Sequence, residues 1–317
     1  MTTSLSRRHL IAGAALAIAA APARGNAPRR ARVHDLMPDF WRVHDSVQGR
    51  PATERVEAIG RLFFRRHAEV YAALGFLGAR NASQPIDPPI APWLVELDKV
   101  ASQVRELSQQ APLAWAAREA RFLATFPDQV AGAPVWLLPS LGQFNGFGRV
   151  WQRRPSLWFG IDGIVMLQGP DANLSVLFDH EAFHLYFMQV GPREPLSPLW
   201  YRIWGEGLAI FVSARLNSNA SRGDLLMSEA LAATTTAELR QAATTLLPLL
   251  DARDRATHDR FLAADVSDGL PARIGYLLGW QAIDAVAGDT PLPALAKLRS
   301  PDARAMLTAG LERLATA

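Results

Sequence analysis

The sequence predicts an α+β protein that is mainly α: a helical N-terminal part, a small antiparallel or mixed sheet, then helices to the C-terminus. Two observations carry this. Apolar residues recur at helical spacing in the first 125 residues and again from Asn173 onward. Between them, the stretch after Pro127 is rich in Val, Ile, Trp, Phe and Leu and is punctuated by Gly and Pro, the texture of short strands and turns.

In chain order, "SRRHLIAGAALAIAAAPA" opens with Arg7-Arg8 and runs on through an apolar stretch from Leu10 to Ala21. Small residues at Ala21 and Ala23 suit cleavage after Ala23, so 1–23 reads as an export signal that resembles the twin-arginine type. The apolar run is shorter than the roughly 20 residues a membrane span needs. The expectation is a bacterial protein, periplasmic or secreted, with no stable membrane span once the signal is removed.

Residues 24–127 form the predicted N-terminal helical region. "TERVEAIGRLFFRRHAEVYAAL" (53–74) places Val56, Ile59, Leu62, Phe63, Val70 and Leu74 at helical spacing. "NASQPIDPPIAP" (81–92) reads as a proline-rich loop, with two helices after it over 93–109 and 113–125. Strands are expected in "APVWLLPSLGQFNGFGRV" and "SLWFGIDGIVML". Residues 128–317 are read as a second domain.

Composition excludes several functions. Thirty-one of the 33 basic residues are arginine, scattered with no basic stripe, and the net charge is only +3, so no nucleic-acid partner is expected. There is no cysteine, which removes disulfides, thiolate metal sites and thiol nucleophiles.

The chemistry concentrates at "DHEAFH" (179–184). Asp171 or Asn173 can cap a helix beginning near Leu174, and Gly191-Pro192 ends it. His180 and His184 then share a face, about 40° apart and one turn along. Two imidazoles so placed can converge on one metal, and Glu181, one step round, can reach a water there without being a ligand. The bland alternative is two satisfied histidines and a surface glutamate. Against it, the helix is apolar nearly all round, where uncompensated polar groups are costly.

A third ligand is expected from Glu206 in "WYRIWGEGLAIFVSARL", 22 residues after His184 and the sole acid between Glu194 and Asp224. Its alternative reading is an acid stabilising the N-terminus of its own helix.

"HEAFH" followed by "WGEGLAIF" resembles the gluzincin zinc metallopeptidases, and most nearly the poorly characterised predicted zinc-dependent proteases whose motif ends in Glu-Gly-Leu-Ala. The resemblance implies a zincin-type helical core, a Zn2+ on His180, His184 and Glu206, Glu181 as general base, and a peptide or protein substrate. It also implies that "LWFGIDGIVML" is an edge strand beside the cleft, and that Tyr276 in "ARIGYLLGWQAID" donates to the oxyanion, with His258 as the other candidate for that role. His34, His44 and His67 are left as core or surface histidines. Two features depart from the pattern. Thermolysin-like members carry an aspartate four residues after the glutamate, where this chain has Ile210, and the Gly-x-Met-Glu-Asn exopeptidase signature is absent. The function expected is an exported zinc metallopeptidase; the alternative is a catalytically inactive, protease-like binding or assembly protein.

Overall fold

The computed structural model describes residues 31–75, 89–129, 132–264 and 269–317, so residues 1–23, expected to be an export signal, lie outside the described residues. The α+β, mainly α expectation holds: a small mixed sheet of four strands accompanies a majority of helix. Two compact units emerge, one made of 1–112 and 131–171, the other of 113–130 and 172–317. The boundary expected at 127/128 therefore shifts. The strands group with the N-terminal helices because β1 (Val33–Asp35) pairs in parallel with β2 (Val135–Leu138), a long-range pairing that no local pattern announces.

The first unit continues with α1 (Met37–Ser46), α2 (Ala52–Ile59) and α3 (Ala68–Ala73). The single helix expected over 53–74 is broken: α2 passes into a π-helical turn at Gly60–Phe64 before α3 begins. That turn keeps Phe63 and Phe64 buried against Phe40, Tyr71 and Trp93. The two helices expected after the proline-rich segment are one helix, α4 (Ile90–Thr125), which carries Pro112 inside it. Residues 90–112 of α4 belong to the first unit and 113–125 to the second.

The sheet is completed by β3 (Gly146–Trp151) and β4 (Arg154–Gly160) in the order β1-β2-β4-β3. β3 and β4 form a hairpin turning through Gln152 and Arg153, both at positive φ, as a two-residue hairpin loop requires. β4 pairs with β2 on one side and β3 on the other, so it is an interior strand, and the edge-strand reading of "LWFGIDGIVML" is corrected. The second half of that stretch is helical, α5 (Ile161–Gln168). A short apolar run cannot be told apart as strand or helix by periodicity. Here the buried Asp162 carboxylate decides, accepting hydrogen bonds from the Ser140 and Gly142 amides and from Trp93 Nε1.

The second unit is helical. Its elements are α6 (Leu174–Val190), α7 (Leu199–Leu216), α8 (Arg222–Leu226), α9 (Glu229–Ala232), α10 (Thr236–Leu246), α11 (Arg255–Leu262), α12 (Ile274–Ala287), α13 (Leu292–Ala296) and α14 (Ser300–Thr316). α7 is sandwiched between α6 and α12, and α12 in turn packs on α14. The amides of Leu199 and Trp200, at the buried start of α7, donate to the carbonyls of Ala252 and Leu250, which satisfies donors that a helix N-terminus otherwise leaves open. Among the described residues, no helix is long and apolar enough to cross a membrane.

Candidate metal centre

All of the site residues below belong to the second unit. Asn173 caps α6 by accepting from the Val176 amide, which sets the helix phase, and Gly191 closes it. Both flanks of α6 are buried, so a polar side chain on this helix has little access to water. Asp179, fully buried, anchors one flank. It accepts from Arg118 Nε at 2.8 Å, Arg121 Nη2 at 2.7 Å and Asn217 Nδ2 at 2.8 Å. Asn217 is the C-cap of α7, so this one carboxylate fixes the C-terminal half of α4, α6 and the end of α7 to each other.

His180, Glu181 and His184 face α7. His180 Nε2 and His184 Nε2 lie 3.0 Å apart, with the rings nearly perpendicular at 85°. Glu206 Oε2 lies 3.5 Å from His180 Nε2 and 3.2 Å from His184 Nε2. A tetrahedral ion with ligands at 2.0–2.1 Å spaces its donor atoms by about 3.3 Å. The three atoms already sit at that spacing, so the residues fit a metal of zinc's size and geometry. Among the described residues, this is the cluster of three His, Asp or Glu side chains able to hold an ion. Glu206 lies in the middle of α7, which excludes the helix-dipole explanation of its charge.

Electrostatics divide the ligands. Burial lowers the pKa of His180 to about 4, against the partial pull of Glu206, so this imidazole is neutral and ready to coordinate. Burial also opposes charge on His184, but the Glu206 carboxylate outweighs it and raises His184 to about 9. Glu206 would rise on burial; His184 instead holds it well below the usual carboxylate range. Without metal, then, His184 and Glu206 are an ion pair, and a metal would take the place of the proton between them. Glu181, buried, is pushed up to about 7. A carboxyl group poised there can both take and return a proton near neutral pH.

His180 Nδ1 is buried and has no hydrogen-bond partner. A ligating histidine ordinarily donates its second ring N–H to a carboxylate or carbonyl that fixes its orientation. Here the ring is held by packing and by its other nitrogen, Nε2, which meets His184 Nε2 and Glu206 Oε2.

α12 brings Tyr276 to the same place. Burial raises its pKa, with the charges of Glu206, Arg273, Arg202 and Glu181 also acting on it, so the hydroxyl stays protonated and can donate. His258 is not its equivalent: its Nε2 meets the Ala252 carbonyl at 3.1 Å on α11, an ordinary buried histidine with its partner. The other three described histidines lie in the first unit with partners of their own, His34 stacked on Trp136, His44 beside Gln48, Asp45 and Asp98, and His67 on Asp39.

Three participants carried no sequence signal. Arg273 and Arg202 are two arginines among 31, and Asp179 looked like one more polar residue of the motif. Only the packing of α12 and α4 gives them neighbours. In comparisons with protein families, curated proteins and solved structures, nothing matches the chain.

Proposed function

We propose that this chain is an exported zinc-dependent metallopeptidase that hydrolyses peptide bonds. The observation that carries the reading is the spacing of three donor atoms, His180 Nε2, His184 Nε2 and Glu206 Oε2, contributed by two buried helices with Glu181 beside them. His180, His184 and Glu206 would hold the zinc, which when bound would supply Lewis-acid polarisation and a more acidic water near neutral pH. The protein supplies the rest. Glu181 accepts the proton of the attacking water and passes it to the leaving amine, a role its pKa near 7 suits in both directions. Tyr276 donates its hydroxyl to the oxygen on which negative charge develops. His184, paired with Glu206, gives up its proton when the ion binds.

A closed structural zinc site would use four protein ligands, and among the described residues three converge here. The test is elemental analysis of the purified protein together with cleavage of an unfolded protein substrate. The expected result is about one zinc per chain and cleavage that is lost in Glu181→Gln while the zinc remains. Zinc without any cleavage by the unaltered chain would sink the peptidase reading and favour a binding or assembly protein built on the same scaffold. Export by the N-terminal signal is part of the proposal. Replacing Arg7-Arg8 by lysines should leave the protein in the cytoplasm on cell fractionation, and unchanged export would reject a twin-arginine route.

A further inference from the structure

Arg273 sits at the N-cap of α12 in the left-handed region, φ +60°, an uncommon conformation for a residue with a side chain. Its backbone is held there: the Arg273 amide donates to the Ala263 carbonyl at 3.0 Å, and the Arg273 carbonyl accepts from Tyr276 at 2.9 Å. The conformation lays the guanidinium over the Tyr276 ring, 4.2 Å from its centroid. From there its charge reaches His180 and Glu181 as well as Tyr276. Arg202, one turn before Glu206 on α7, also acts on Tyr276. Both arginines are half-buried, and no carboxylate pairs with either among the described residues.

A half-buried guanidinium that no described carboxylate pairs with is left partly desolvated. The protein tolerates that arrangement where a ligand completes it. A planar guanidinium takes a carboxylate through two parallel hydrogen bonds, and stacking on an aromatic ring fixes the fork without using its donors.

We propose that Arg273, assisted by Arg202, anchors a carboxylate of the substrate, so that the site selects peptides carrying a negative charge close to the bond presented to Glu181. The proposal rests on the peptidase reading for the identity of the ligand as a peptide. The carboxylate can be the C-terminus of the chain or an Asp or Glu side chain, and the experiment separates them.

The test uses the full chain loaded with zinc and carrying Glu181→Gln, so that peptides bind without being cut. Calorimetry compares four versions of one peptide, with a free or amidated C-terminus and with Asp or Asn beside the central bond. A charge-assisted bidentate contact should favour a charged version by about tenfold or more. A preference that follows the terminus identifies a C-terminal carboxylate; one that follows Asp identifies an acidic side chain. Adding Arg273→Gln should bring the ratio to about one, and Arg202→Gln should reduce it. Arg273→Lys, which keeps charge but not the fork, should retain part of it and guards against a folding defect in the glutamine variant. Equal binding of all four peptides, no binding of any, or a preference that survives Arg273→Gln would overturn the anchor. Cleavage by the unaltered chain without charge selectivity would reject the anchor and leave the peptidase standing; charge-selective binding without cleavage would do the reverse. If Arg273 acted on the developing oxyanion instead, Arg273→Gln would lower kcat equally for charged and neutral peptides with KM unmoved, which also overturns the proposal.

Discussion

Gly207 and Gly279 face each other where α7 crosses α12, each occupying the space a side chain on the other would need. A Cβ built at Gly207 would lie 2.5 Å from Gly279 Cα, and one built at Gly279 would lie 2.9 Å from Gly207 Cα. The neighbouring residues on the two helices are Glu206 and, one turn from Gly279, Tyr276. The glycine of the Glu-Gly-Leu-Ala stretch therefore sets how closely the third ligand and the candidate oxyanion donor approach.

Substituting Gly207→Ala forces this crossing apart, because the obstacle is backbone rather than a movable side chain. The expected cost is about 3 kcal/mol of unfolding free energy, at the upper end of overpacking penalties. Urea denaturation measures it. Gly169→Ala is the control, since nothing lies within 4 Å of a Cβ there, although its φ of +95° adds backbone strain of its own. A cost at Gly207 no larger than at Gly169 would reject the crowding argument.

Removing metal should destabilise the second unit. An ion that binds only the folded chain adds about 2.7 kcal/mol at one hundred times its dissociation constant. Zinc should thus raise the melting temperature of chelator-treated protein in thermal scanning. The increment should vanish in His180→Ala and in Glu206→Ala, because each removes one of the three donors. An unchanged increment in Glu206→Ala would show that the histidines bind without it.

Zinc affinity should fall as pH is lowered. His184 holds a proton up to about pH 9 because Glu206 stabilises its charged form, and that proton must leave for the nitrogen to coordinate. Below pH 9 the expected slope is about a tenfold loss of affinity per pH unit from this group. His180, at about 4, adds nothing until the solution is far more acidic. Calorimetric titration at pH 7.5 in two buffers of different ionisation enthalpy should report close to one proton released. No release would mean that His184 is already neutral.

Asp179→Ala should be more damaging than its exposed counterparts. It leaves Arg118 buried with no carboxylate beside it, and breaking a buried ion pair from one side costs about 3–5 kcal/mol. Asp259→Ala, which removes an exposed pair with Arg255, should change stability very little. Chemical denaturation of the two variants compares them directly. Similar costs would show that the Asp179 network does not clamp α4, α6 and α7.

Much of the site was legible because it is local. The spacing of His180, Glu181 and His184 on a capped helix and the isolation of Glu206 in an apolar stretch follow from the helical repeat and from the cost of burying charge. The rest was not local. α4 runs through Pro112 although the sequence suggested a break, and Ile161–Gln168 is helix although it is as apolar as a strand. Tertiary contacts decided both, the second through the backbone amides that Asp162 accepts.

By itself the sequence determined the class of fold and the phase of α6 and pointed to His180, His184 and Glu206 as candidate ligands, since each depends on residues within a turn or on local composition. The tertiary structure decided what those donors see. It set the 3.0–3.5 Å spacing across α6 and α7, the crossing at Gly207 and Gly279, and the arrival of Arg273 and Tyr276 from α12. Arg273 is nearly seventy residues beyond Glu206 in a chain with arginine throughout, and periodicity carries no information over that distance. Its meaning comes from the charges it meets in the folded protein.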